Sequence, residues 1–193
     1  MIVETKLPTN SARRKQIMDA AREIAAKQGW PAVTVRAIGK RIGCSAPSIY
    51  QYFRNKDRVL AALADEGLLT LGEALDQTAS STDGSAKRVR ATIRGLWDFA
   101  MDNRELYVVI YGGDGLSARV LELAPETLRR SVAKLIAKRG GKDSAEDVGD
   151  RLAATVHGFI GLTLSGAFPG GRARAQALCD RMVDDLIRGL GRE

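Results

Sequence analysis

Apolar residues recur three and four positions apart through most of this chain and rarely alternate. Ile17, Ala21, Ile24 and Ala25 share one face of a stretch from Ser11 to Gln28, the period of an amphipathic helix. The pattern then shortens. Ile38 and Ile42 lie four apart behind Thr34, which can cap a helix, and Gly43 suits the left-handed residue that ends one. Ser45 can cap the next element, and Pro47 falls in its first turn, where a missing N–H costs nothing. Ile49 and Phe53 give that element an apolar side, while Ser48, Gln51 and Tyr52 point elsewhere. Asn55 then caps a long run through Leu60, Leu63, Leu68 and Leu71 towards Asp76, and the polar stretch from Gln77 to Ser85 reads as a loop. Further helices are expected over Ala86–Asn103, Arg104–Tyr111, Ser117–Leu123, Glu126–Arg139, Ser144–Phe168 and Arg172–Leu190, with Gly and Pro mostly between them. The chain reads as all-α.

Length and charge add to this picture. A chain of 193 residues can bury a sizeable core, as one domain or two small ones. Its net +7 is unevenly placed: residues 1–60 hold twelve Lys/Arg against four Asp/Glu, while residues 61–193 hold eighteen against nineteen. A basic module on a near-neutral body is the electrostatic footprint of phosphate binding, although an excess of cations also simply keeps a surface soluble. Here it coincides with two short helices joined by a tight turn, the build of a helix-turn-helix DNA reader. Together they favour nucleic acid.

Other classes fit poorly. Met1 to Lys15 is polar and basic, without the apolar stretch of a secretory leader. Cys44 and Cys179 lie far apart with no partner pattern, which suits a reducing cytoplasm rather than a disulfide framework. Cys44, in the turn of the motif, reads as a small apolar residue before a redox switch. Leu152 to Gly171 is uncharged and long enough by count to span a bilayer, but holds His157, two Thr, Ser165, Pro169 and five Gly. Ala154 with Gly158 and Gly161 with Ser165 instead suit a helix buried in a core or subunit interface. His157 is the single histidine, and no Gly-x-Ser-x-Gly, phosphate loop or metal-ligand spacing appears. The chain reads as a non-enzyme with no cofactor and no metal.

Thr34-Val35, Ile38, Ser45, Pro47, Ile49-Tyr50, Tyr52-Phe53, Asn55-Lys56 and Val59 resemble, without gaps, the signature of TetR-family transcriptional regulators. Cys44 departs mildly from it, at a place that usually holds an aliphatic or small polar residue. The resemblance covers about the first third of the chain, and it implies an all-α homodimer. A helix-turn-helix DNA-binding head, residues 1–55, is joined through the fourth helix to a ligand-binding and dimerisation body, residues 56–193.

By that resemblance Tyr50, Tyr52 and Lys56 touch the DNA backbone, and Thr34 meets a phosphate at the start of the second helix. The third helix lies in the major groove, with Ser45, Ala46, Pro47, Ser48 and Gln51 nearest base edges. Among these only Gln51 is a long amide able to bridge adenine, Ala46 offers a methyl contact to thymine, and Arg36 is the expected guanine reader. Arg13, Arg14, Lys15, Lys40, Arg41, Arg54 and Lys56 either neutralise phosphates or form a solvated basic face. With so few long polar readers, much affinity should come from the backbone and from DNA shape.

A dimer of such heads would read half-sites about 34–36 Å apart on a pseudo-palindrome. Its contacts are expected from the last two helices, with Val156, Ile160, Leu164, Met182, Leu186 and Ile187 as candidates that serve equally as intrachain core. Trp97, Met101, Tyr107, Ile110, Tyr111, His157, Phe159 and Phe168 are the body's bulky groups, of the kind that line apolar sites and of the kind that fill cores. Trp97, Met101, Tyr107, Tyr111, His157 and Phe168 are the candidate ligand-binding residues. The expected partners are a double-stranded DNA operator, a small-molecule effector and a second copy of the chain, with no membrane. The expected function is a ligand-released repressor. Its rival is a regulator-like fold kept as a ligand or protein binder, against which the intact Tyr50, Tyr52 and Lys56 argue.

Overall fold

The computed structural model describes residues 10–111, 126–139 and 143–190. Among these the chain is helical, with nine α-helices, one 3₁₀ turn and no strand. The helix expected over Ser117–Leu123 lies outside the described residues. The chain divides into two compact units, Met1–Gly67 and Leu68–Glu193.

In the first unit, α1 (Asn10–Gln28) buries Ile17, Ala20, Ala21, Ile24 and Ala25. A 3₁₀ turn (Trp30–Ala32), entered through Gly29 at φ 78°, leads to α2 (Val35–Ile42). Thr34 sits in extended conformation, and its hydroxyl accepts the Ala37 N–H at 3.0 Å, which caps α2. Gly43 closes α2 in the left-handed region, φ 67° and ψ 36°, where a side chain would be strained. α3 (Ala46–Tyr50) begins at Ser45, whose Oγ accepts from the Ser48 N–H at 3.4 Å.

Five residues are far too few for a helix to persist alone. α3 is held by the buried side chains of Ile49 and Phe53. It is also held by Arg14, which donates to the Tyr52 carbonyl at 2.7 Å and stands 4.2 Å from the Phe53 ring centroid. α4 (Lys56–Ser80) starts at Asn55, whose Oδ1 accepts the Arg58 N–H at 3.0 Å. Val59, Leu63 and Ala64 on its first turns are buried, and Glu66 pairs with Arg22 at 2.8 Å. The division between units falls inside α4, after Gly67.

The second unit takes the rest of α4 together with α5 (Ser85–Asp102), α6 (Arg104–Tyr111), α7 (Glu126–Arg139), α8 (Ala145–Leu164) and α9 (Gly171–Gly189). α4 runs into the stretch expected as a loop. Arg88 explains this: its guanidinium donates to the Ala79 carbonyl at 2.9 Å and the Thr82 carbonyl at 3.0 Å, satisfying acceptors that would otherwise be orphaned at the helix end. The core is built from rows of residues four apart: Val89, Ile93 and Trp97 on α5; Val148, Leu152, Val156 and Ile160 on α8; Ala175, Cys179, Val183 and Ile187 on α9. Such i, i+4 rows are the ridges that pack helix against helix.

This packing divides the six dimer candidates. Val156, Ile160 and Ile187 belong to the intrachain core, and Leu164 and Leu186 pack partly against it. Met182 stays 44% exposed, and Leu162 on α8 is 50% exposed. No described helix is long and apolar enough to cross a membrane.

Candidate nucleic-acid and ligand sites

Around α2 and α3 the polar side chains stand outward. Thr34, Arg36, Ser45, Pro47 and Gln51 are exposed, Tyr50 is 54% exposed, and Ala46, Ser48, Tyr52 and Lys56 are half-buried. Ile38 and Ile49 point inward and fix the two helices against each other. Gly39 sets how close they come: a Cβ there would lie 2.7 Å from the Cys44 carbonyl oxygen.

The seven cations expected at phosphates separate into two groups. Arg14 braces the end of α3, Lys15 pairs with Asp19, and Arg41 pairs with Glu23. Arg13 donates to Gln16, and Lys56 Nζ donates to the Trp30 carbonyl at 2.8 Å. Lys40 and Arg54 are exposed and, like Arg36, make no ion pair among the described residues. Of the cations named for the interface, Arg36, Lys40 and Arg54 thus have their side-chain donors open to a phosphate or a base edge among the described residues.

The second unit holds a cavity of about 550 Å³ between α6 and α8. α6 contributes Arg104, Tyr107, Val108 and Tyr111, and α8 contributes Ala153, Ala154, His157, Gly161, Leu164 and Ser165. The Tyr107 hydroxyl lies 2.6 Å from His157 Nδ1, and the Tyr111 ring stands 4.7 Å from Tyr107 and 4.4 Å from His157 between centroids. Burial lowers the His157 pKa to about 4, so the imidazole is neutral at pH 7. Burial pushes Tyr111 up to about 12, and burial with Tyr111 alongside raises Tyr107 further. Both phenols stay protonated. A Tyr107 hydroxyl that donates to Nδ1 leaves the ring proton on Nε2, as a donor.

Two family models match. One, described as bacterial regulatory proteins of the tetR family, covers residues 17–63; the other, a tetracyclin repressor-like C-terminal domain, covers residues 89–186, half of the chain. The chain belongs to the TetR family. It is a helix-turn-helix transcriptional regulator by that membership. The HTH-type transcriptional activator FasR of Mycolicibacterium smegmatis is 27% identical over 143 residues, 72% of this chain and 65% of FasR, so the match spans just under two thirds of that relative. The regulator BetI of Escherichia coli K12 is 27% identical over 187 residues, 92% of this chain and 95% of BetI. The solved TetR-family regulator PfmR of Thermus thermophilus shares the fold, with a TM-score of 0.67 at 17% identity, covering 91% of this chain and 99% of PfmR.

Of the six ligand-site candidates in this TetR-family body, the cavity gathers Tyr107, Tyr111 and His157. Trp97 is 1% exposed in the core, Met101 packs against that core, and Phe168 stands 5.5 Å from Phe159. None of these three lines the cavity. Arg104 does, and sequence reasoning passed it over. The signal was there: Arg104, Tyr107, Val108 and Tyr111 are spaced i, i+3, i+4 and i+7, one face of a helix.

The His157 environment gives a stability prediction. Its pKa is depressed in the folded chain and near 6.5 when unfolded, so below pH 6.5 the unfolded chain takes up the proton first. Stability should fall as pH drops from 6.5 towards 4, by on the order of 2–3 kcal/mol from this group. Chemical denaturation of the native chain and of His157→Gln across that range isolates it. The native curve should fall more steeply than the variant's; parallel curves would mean His157 is not buried neutral.

Proposed function

We propose that this TetR-family chain is a sequence-specific repressor that binds a pseudo-palindromic operator as a homodimer and is released by a small molecule in the α6–α8 cavity. The carrying observation is the doubly capped α2–α3 pair, which presents Arg36, Tyr50 and Gln51 outward beside the unpaired Lys40 and Arg54. The third helix supplies major-groove contacts, and the cations supply phosphate neutralisation that releases counterions. Repression is the family's usual mode, while FasR is an activator, so the sign of control is the part of the proposal that DNA contacts alone do not carry.

Dimerisation is supported by the outer faces of α8 and α9. Gly158 and Leu162 are exposed on α8 and do not line the cavity, and Met182 is exposed on α9. A small residue lets a second helix come close, and two exposed apolar side chains give it something to bury. Ligand release then operates as a population shift, because α4 belongs to both units and the cavity forms in the second. A ligand that binds better to the DNA-incompetent arrangement empties the operator; one without that preference does nothing.

Salt dependence tests the DNA interface. Affinity for a duplex should fall linearly with salt on logarithmic axes, and Lys40→Ala and Arg54→Ala, each removing one phosphate contact from both half-sites, should each reduce the slope by about 1.8. Arg36→Gln should cost about 1–3 kcal/mol per half-site and relax preference at one base pair in each. Fluorescence anisotropy at several salt concentrations reads all three. Slopes unchanged in both charge variants would place the phosphate contacts elsewhere.

A further inference from the structure

The chemistry of the cavity wall narrows the ligand. Arg104 is exposed, lines the cavity and makes no ion pair among the described residues. The other polar groups facing the space include two protonated tyrosines and a neutral imidazole, and no described carboxylate lines it. A wall with a permanent cation and several N–H and O–H donors, but no anion among the described residues, suits an acceptor-rich, negatively charged guest. Tyr111 stands within 4.7 Å of one ring and 4.4 Å of another, which makes one wall a cluster of π faces. Val108, Ala153, Ala154 and Leu164 supply aliphatic surface for the body of the guest. A volume of about 550 Å³ holds a molecule of one or two rings and excludes little else by size, so the choice rests on polarity.

Resting on the ligand-release reading above, we infer that the effector is an aromatic monocarboxylate, its ring system against the Tyr107–Tyr111–His157 cluster and its carboxylate on Arg104. The guanidinium offers a planar pair of donors that matches a carboxylate, which an ammonium ligand or a neutral amide does not exploit. A cationic effector would meet like charge at Arg104 and find no described counter-ion.

Calorimetric titration of the full chain with four probes tests this: 1-naphthoate, 1-naphthamide, 1-naphthylmethylammonium and octanoate. Naphthoate should bind at least about tenfold more tightly than the amide and the octanoate, and the ammonium should not bind. Arg104→Gln should bring naphthoate down to the level of the amide and leave the amide unchanged, while Arg104→Lys restores part of the difference. Naphthamide binding as tightly as naphthoate, or Arg104→Gln weakening both alike, would overturn the anionic class while leaving the cavity as a ligand site. Octanoate matching naphthoate would overturn the aromatic part. Failure of all four probes to bind would overturn the class and the cavity reading together.

Discussion

Gly39→Ala is expected to abolish operator binding. The added Cβ would fall 2.7 Å from the Cys44 carbonyl oxygen and 3.4 Å from Ile49 Cδ1. The first neighbour is backbone, in the turn between α2 and α3, so it cannot rotate away as a side chain would. Either α2 and α3 separate or the turn shifts, and each moves the recognition helix off its angle. The stability cost should be about 1–3 kcal/mol, the usual range for overpacking. The binding cost should be larger. Displacing α3 removes its base contacts in both half-sites, each worth about 1–3 kcal/mol, which amounts to a loss of a hundredfold or more. Gly72→Ala is the control, because a Cβ at Gly72 meets nothing within 4 Å. On α4 that change should add about 0.5–1 kcal/mol of stability and leave DNA binding intact. Anisotropy with a selected duplex, alongside thermal unfolding, separates the two variants; equal DNA binding by both would mean the close α2–α3 approach is not needed.

The second large effect concerns the dimer. Leu162 and Met182 are 50% and 44% exposed, and neither belongs to the intrachain core. Replacing both with glutamate should leave the fold intact, since no core contact is lost, and should place like charges where two copies meet. Sedimentation should show a monomer in place of a dimer. Operator affinity should then drop by about 10²–10⁴, because the second head no longer binds as an intramolecular event. A double variant that stays dimeric with unchanged affinity would move the interface away from α8 and α9.

What the sequence revealed depended on how local the cause was. Thr34, Gly43, Ser45 and Asn55 act through hydrogen bonds and dihedrals within three residues, so their capping and turn roles were legible directly. The all-α class followed from periodicity for the same reason. Longer-range causes were hidden. Arg14 serves Tyr52 and Phe53, thirty-eight and thirty-nine positions away, a bracing role that no local pattern displays. Arg88 folds back on the end of α4, which therefore outlasts its polar sequence. Trp97 and Tyr107 are both bulky groups on the body's helices, and only packing sends one into the core and the other to the cavity. Arg104 shares one face of α6 with Tyr107 and Tyr111, a spacing visible in the sequence, but only packing brings His157 of α8 to that face and makes a cavity of it.

The most direct test of the central claim is selection of bound sequences from a random duplex library, performed at low and at near-physiological salt. A sequence-specific dimeric regulator should enrich one pseudo-palindrome with half-sites about one helical turn apart or a multiple of it, and enrichment should persist at the higher salt. No enrichment, or binding that disappears as salt rises, would contradict it and leave the basic head as a non-specific surface.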